Sequence, residues 1–316
     1  MEQVTNQTKF YGDGGKYLGI LAVNFILTII TLGLYYPWAR AKNLQYIYGE
    51  TEFSGNRLMF HGTGKEMFKG FIKAMVVIVI LYGIYFSALR SADSTFRLVG
   101  TLVFLIGFLL LIPLAIHGGL RYRMSRTSWK GIHFGYRGKL GELFGIWFKG
   151  VFFTIITFGI YGSWFSVNLR KYIISNIRLG NVKFRFDGEG GDLFIINLKF
   201  ILVYLSLGIY IFWFLRNHNH FAINNLKVVQ DDFPVTFRST LTPGEIFTTS
   251  IVNVLIVICT LGIGLPWAII RNMRMVFNNI ELDGAFNPDS IVQTEESYAD
   301  ATGDDLLSML DIGFDF

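Results

Sequence analysis

A single cysteine, Cys259, set in an apolar run where it reads as inert packing, leaves the chain without a disulfide framework or a cysteine-based metal site. Charge is scarce as well: 16% of the 316 residues are Asp, Glu, Lys or Arg, against about 25% in ordinary soluble domains. No Gly-x-Ser-x-Gly elbow, His-Glu-x-x-His helix or Ser/His/Asp arrangement stands out, so the sequence names no reaction. Gly62-Thr-Gly-Lys65 is not a phosphate loop, because that motif needs glycine where Met59 stands and Ser or Thr where Glu66 stands. Residues 1–13 are polar and lack the parts of a signal peptide, so insertion is expected to use the first spanning helix.

What the chain has in quantity is apolar surface: 52% hydrophobic and 16% aromatic residues, with a mean hydropathy of +0.44. These residues gather in runs of membrane-spanning length at about 18–36, 71–89, 97–117, 143–163, 193–215 and 246–269. The reading is a mostly α, multi-pass membrane protein of about six spanning helices. Lys149 and Lys199 interrupt the fourth and fifth runs, where a charge at a helix centre costs roughly 2.5–3.5 kcal/mol.

One motif organises the runs. Thr31-Leu-Gly-Leu-Tyr-Tyr-Pro-Trp38 returns as Thr157-Phe-Gly-Ile-Tyr-Gly-Ser-Trp164, Ser206-Leu-Gly-Ile-Tyr-Ile-Phe-Trp213 and Thr260-Leu-Gly-Ile-Gly-Leu-Pro-Trp267. A decayed copy has Leu114, after Pro113, in place of the tryptophan. Gly33, Gly159, Gly208 and Gly262, with Pro37 and Pro266, loosen or end the apolar helices. Trp38, Trp164, Trp213 and Trp267 are expected at headgroup level, as boundary residues rather than ligand contacts. After each motif comes a basic, apolar stretch such as 39–48 or 167–174 that suits a short interfacial helix. Strand-like alternation follows, as in Phe53-Ser-Gly-Asn-Arg-Leu-Met-Phe60 and residues 177–186, and reads as a β-hairpin. In the fourth copy, residues 227–237 give the same form with Asp231-Asp232 as a turn pair. The membrane domain, 1–284, divides into repeats at about 10–61, 62–137, 138–187, 188–240 and 241–284. Residues 285–316, with eight acidic residues and no Lys or Arg, form an acidic flexible tail with room for a short helix.

The repeated Leu-Gly-(Leu/Ile)-Tyr with Trp38, Trp164 and Trp213 behind it, and the phenylalanines and glycines of the hairpins, resemble the YjgN-like family of bacterial inner-membrane proteins. The resemblance covers about residues 10–284. It implies a multi-pass protein of the bacterial cytoplasmic membrane and supplies no activity, since the family is built on a domain of unknown function. Leu114, and Gly264 where other copies have tyrosine, depart from the pattern.

Without the tail, residues 1–284 carry a net +13, placed beside the apolar runs; the expected partner is anionic lipid rather than nucleic acid. Polar positions within the spans are the candidate interior sites: Asn24, Lys149, Lys199 and Asn253, of which Asn24, Lys199 and Asn253 lie nine residues before a motif glycine. The plainer reading is that the two amides bond helix to helix and the lysines reach an interface. His218 and His220 share a face on a strand but diverge on a helix, and the segment follows a span, so no metal and no cofactor are assigned. Two function classes remain, with an enzyme of lipid or envelope chemistry a third behind them. The favoured one is a non-catalytic membrane organiser binding lipid or partner proteins; the other is a small-solute transporter or channel with a polar interior. With alternating spans, the basic residues divide almost evenly between the two sides and the expected orientation puts residues 5 and 300 outside the cytoplasm.

Overall fold

A computed structural model of the chain describes residues 7–230, 233–284 and 286–294. In it the organising motif reverses the chain. Between α1 (Gly14–Ile30) and α2 (Tyr36–Gly49), Leu32 and Gly33 both take left-handed backbone, with φ of 51° and 92°. The Gly33 N–H donates to Thr28 O at 2.7 Å, closing the helix end. The Thr31 hydroxyl donates to Leu27 O at 2.7 Å and accepts from the Tyr35 N–H at 2.9 Å, tying one helix to the next. The same turn joins α5 (Leu140–Ile156) to α6 (Gly162–Ser175) and α10 (Pro243–Cys259) to α11 (Leu265–Asn278). It also joins α7 (Gly190–Leu198) and α8 (Ile201–Leu205) to α9 (Ile211–Asn224). Phe158, Leu207 and Leu261 have φ of 49–51°, and the glycines after them 92°.

The expectation of six crossings is corrected by these turns. The segments 18–36, 143–163, 193–215 and 246–269 each bend back, so each is a helical hairpin and the sides do not alternate. Its first arm, 17 residues in α1, α5 and α10, reaches about 25 Å at about 1.5 Å per residue. The tip residues Leu32, Phe158, Leu207 and Leu261 are 94–98% exposed. In the second unit the arms are longer: α3 (Gly64–Arg90) and α4 (Ser94–Ser125) have 27 and 32 residues and are long and apolar enough to cross a membrane. They contain the expected spans 71–89 and 97–117.

Ten short strands complete the fold: β1 (Thr8–Phe10), β2 (Thr51–Phe53), β3 (Asn56–Phe60), β4 (Thr127–Trp129), β5 (Ile132–Tyr136), β6 (Ile177–Leu179), β7 (Val182–Phe186), β8 (Leu226–Gln230), β9 (Phe233–Ser239) and β10 (Ile280–Asp283). All belong to one antiparallel sheet in chain order. Gln7 bridges Glu281, so the sheet all but closes into a barrel, with β1 supplying the strand that β10 lacks for a hairpin. Ser54-Gly55 and Lys130-Gly131, all at positive φ, make the two-residue turns whose twist matches paired strands. Alternate strand residues fill the barrel: Trp129, Leu179, Val182, Val228, Val235 and Leu282 are buried there, with Phe53, Phe134, Phe184 and Phe237 packed against them.

The first residues of the acidic tail close the turn end of this barrel. Phe286 and Ile291 enter its core, Lys130 Nζ meets Asp289 at 2.5 Å, and the Asn181 N–H donates to Val292 O at 3.1 Å. The Asp231-Asp232 turn pair and the tail beyond residue 294 lie outside the described residues.

Each unit is therefore a helical hairpin followed by a β-hairpin, and its second arm packs against the first arm of the next unit; α11 against α1 closes the circle. Because every hairpin starts and ends at one sheet, all hairpins stand on the same side of it. Of the 28 Lys and Arg, Arg90 and Arg97 flank the far turn of the long hairpin and Lys73, Lys149 and Lys199 lie farther along first arms; Lys16, Lys65 and Lys69 lie in the first two turns of α1 and α3, and the rest lie on second arms or around the sheet. Positive charge remains cytoplasmic, so the barrel is predicted inside and the α3–α4 turn outside. In intact cells, a membrane-impermeant thiol reagent should label Ala92→Cys and spare Lys130→Cys, in a Cys259→Ser background; the reverse pattern contradicts this orientation.

Candidate functional site

The rim of the barrel facing the helices is built from a repeated device. Phe10, Phe60, Tyr136 and Phe186 end β1, β3, β5 and β7 and are buried. Each wedges between second arms of neighbouring units: Phe60 packs with Ala41 of α2 and Tyr122 of α4, and Phe186 with Val167 of α6 and Phe221 of α9. Two residues on stands a glycine with no room for a side chain. A Cβ would fall 2.4–2.6 Å from the wedge ring at Gly12, Gly62, Gly138 and Gly188. In the fifth position the wedge is Ser239, held by Asn219 and Asn224, and there the corresponding residue is Leu241. Tyr136 remains a phenol, since burial and then its neighbour Tyr172 raise its pKa. Asp187, after the Phe186 wedge, is pulled up by burial, but the hydrogen bonds from Lys227 and Arg185 outweigh this and hold it below the ordinary carboxylate value.

The motif tryptophans form a second device, a latch between units. A Cβ on Gly14, Gly64 or Gly190, in the first turn of α1, α3 and α7, would lie 2.3–2.4 Å from the ring of Trp267, Trp38 or Trp164. Trp38 and Leu114 each precede the latch position by 26 residues; the first pairs in sequence with Gly64 and the second with Leu140. Loss of the large ring in the decayed copy thus coincides with the appearance of a side chain at its partner position. Trp213 is 46% exposed, and Pro243 opens the next helix. Pro37 and Pro266 are buried in the first turn of α2 and α11.

Wedges and latches hold two chemically different layers in place. First arms and tips expose apolar side chains: Phe25, Ile29, Phe152, Ile155, Leu255 and Ile258 are 55–70% exposed. Second arms are basic. Arg40, Lys42, Arg121, Arg123, Arg170, Lys171, Arg216, Arg271 and Arg274 lie on α2, α6, α9, α11 and the returning half of α4, which contain no Asp or Glu. Where the second arms meet the barrel rim lies a chamber of about 290 Å³, walled by Tyr48, Met124 and Ile174 at the arm ends, with Leu58, Phe134 and Phe184 from the barrel.

The candidate interior positions do not converge. The Asn24 amide donates to Ala39 O at 3.2 Å and to Asn43 Oδ1 at 3.3 Å; Asn253 does the same to Ala268 O at 3.3 Å and Asn272 Oδ1 at 2.8 Å. Each clamps its own hairpin. In the third hairpin, Phe165 stands in place of the alanine, and Gly150 in place of the asparagine leaves room for its ring. Lys149 is exposed and lines a groove of about 450 Å³ between α5 and α6 with Asn168, Lys171 and Tyr172. Lys199 is exposed at the end of α7. His218 packs at a tilt against Phe214 with ring centroids 4.5 Å apart, and His220 Nε2 meets Leu241 O at 2.9 Å. Among the described residues no three His, Cys, Asp or Glu groups gather as metal ligands. From sequence, Gly12, Gly14, Gly62, Gly64, Gly138, Gly188 and Gly190 read as flexible joints at the entry to each unit; the structure sets an aromatic ring against each, a packing role that aromatic-x-Gly at four strand ends could have signalled.

These features belong to a membrane protein built from one recurring unit, and comparison supplies its family. The sequence profile of a bacterial protein family of unknown function, DUF898, matches residues 5–221 and 222–309, so the chain belongs to that family. Inner membrane protein YjgN of Escherichia coli K12 is 33% identical over 156 residues, which is 49% of this chain and 36% of that protein. Its counterpart from Escherichia coli O157:H7 matches to the same extent. The Salmonella typhimurium protein of that name is 35% identical over 130 residues, or 40% of this chain and 30% of that one. The matched stretch thus spans about a third of the length of the curated relatives. No solved structure matches the chain. The protein is one of the bacterial inner membrane, and α3 and α4 are helices suited to crossing it.

The latch is testable by adding one methyl group. Gly64→Ala would place its Cβ 2.4 Å from the Trp38 ring and 2.7 Å from the Trp38 backbone, an overpacking expected to cost about 1–3 kcal/mol. Gly19→Ala, in open space within α1, should be neutral or stabilise by up to about 1 kcal/mol. Thermal unfolding in detergent compares them, and equal stability of the two variants contradicts the latch.

Proposed function

We propose that the protein is a non-catalytic membrane organiser that gathers anionic phospholipid headgroups against its basic second arms. One observation supports this above the rest: nine Lys and Arg with no Asp or Glu on the returning arms, beside first arms whose exposed faces are apolar. Arms of about 25 Å, entering from one side, stop short of the far surface of a hydrocarbon core about 30 Å thick. The basic arms then need counter-charge near the membrane, and lipid phosphate supplies it, at about 1 kcal/mol per Lys or Arg close to an anionic surface.

A small-solute transporter is the second reading, favoured by the groove beside Lys149 and Lys171, whose volume is about 450 Å³. The two part on lipid retention. Protein reconstituted in an equal mixture of phosphatidylglycerol and phosphatidylcholine should retain phosphatidylglycerol preferentially through detergent extraction. The combined substitution Arg40→Gln, Lys42→Gln, Arg170→Gln and Lys171→Gln should reduce that enrichment at least about tenfold, given the per-charge contribution above, and Lys199→Met should leave it unchanged. Equal retention of the two lipids by the wild type sinks the organiser reading; solute flux lost in Lys149→Met establishes the other.

A further inference from the structure

We propose that the chamber at the barrel rim is a seat for one acyl chain of a membrane phospholipid. The inference rests on the lipid-binding role proposed above and adds a defined site to it. The chamber is lined at three levels: the ends of α2, α4 and α6 through Tyr48, Met124 and Ile174, the first residues of β4, β6 and β8, and the barrel interior through Leu58, Phe134 and Phe184. Its lining presents carbon. Two of the wall residues carry a hydroxyl, Tyr48 and Thr127, and that of Thr127 already donates to Arg123 O at 2.7 Å. Water in such a space would find no partners, and an apolar cavity of this kind stays dry or takes an apolar guest.

The volume of about 290 Å³ lies just under the roughly 300–1,000 Å³ typical of ligand pockets. It has room for part of a hydrocarbon chain and none for a headgroup. The headgroup has its own place. On α4, Arg121 precedes the wall residue Met124 by three positions, and on α6, Arg170 precedes Ile174 by four; both spacings set the pair on one helix face. An anionic lipid can therefore put its phosphate beside the arginines and its chain toward the barrel. A neutral amphiphile gains the second contact alone. The wedges Phe60, Tyr136 and Phe186 sit between neighbouring second arms, and the chamber is the space left between the arm ends and the packed barrel.

The test uses the full chain in bilayers containing phosphatidylglycerol whose acyl chain carries a terminal diazirine, with free diazirine palmitic acid in a second arm. After irradiation, peptide mass spectrometry should find adducts from the phospholipid on the segments holding Leu58, Phe134 and Phe184. Met124→Trp, which fills the chamber, should lower those adducts at least fivefold and leave adducts on the exposed faces of α3 and α4 unchanged. Leu226→Phe, a smaller filling on the opposite wall, should lower them in the same direction should the tryptophan variant not fold. Phospholipid adducts confined to the exposed arms overturn the proposal, and so does barrel labelling by the free acid alone. Barrel adducts without phosphatidylglycerol enrichment in the retained lipid would uphold the seat while sinking the headgroup role.

Discussion

Everything in this structure depends on a helix end that turns back. At each Thr/Ser-Leu/Phe-Gly sequence the chain takes two consecutive left-handed residues, the first of them not a glycine, at an intrinsic cost of about 1–2 kcal/mol for the side chain. The turn survives because its bonds over-determine it. Gly262 N–H reaches Val257 O at 2.8 Å, and the Thr260 hydroxyl links Ile256 O and the Gly264 N–H at 2.6 and 2.7 Å. Once the arm returns, its following strand can join only the sheet it left, so the units accumulate around one barrel with their hairpins on one side.

The circle is then held by paired choices of size. An aromatic wedge demands glycine two residues on, and where the wedge shrinks to Ser239 a leucine takes the glycine's place. A tryptophan latch goes with a helix-starting glycine, and Leu114 in its stead goes with Leu140. Ala39 and Ala268 leave room for an asparagine clamp, whereas Phe165 takes that room beside Gly150. At the wedge and the clamp the partners change size together, as close-packed interiors require. The amide clamps thereby read as parts of single hairpins rather than as one central site.

Much of the unit was legible in the sequence. The Gly-to-Trp spacing exposed its recurrence, Gly-Asn at 55–56 and 180–181 marked hairpin turns, the first of them one residue late against Ser54-Gly55 in the structure, and Phe on alternate positions of residues 53–60 and 177–186 marked strands with one buried face. The reversal was not legible, because an apolar run ending in Gly, Tyr, Pro and Trp has the chemistry of a membrane boundary whichever way the chain proceeds. The residue that turns the chain is Leu32, a side chain with no preference for left-handed backbone. Closure was hidden for a different reason: Gln7 and Glu281 are 274 residues apart, and hairpin-by-hairpin reading carries no register between hairpins. The basic collar suffered likewise, since alternating spans divided its residues between two sides of the membrane.

The most direct test is the depth of the four tips. Spin labels at Leu32→Cys, Phe158→Cys, Leu207→Cys and Leu261→Cys, each in a Cys259→Ser background in bilayers, can be probed by collision with oxygen and with a water-soluble nickel complex. One-sided hairpins predict that all four labels are shielded from nickel, rich in oxygen collisions and at similar depth. Labels at headgroup level, reached by nickel from opposite sides in successive units, would contradict the reversing turn and with it the whole account.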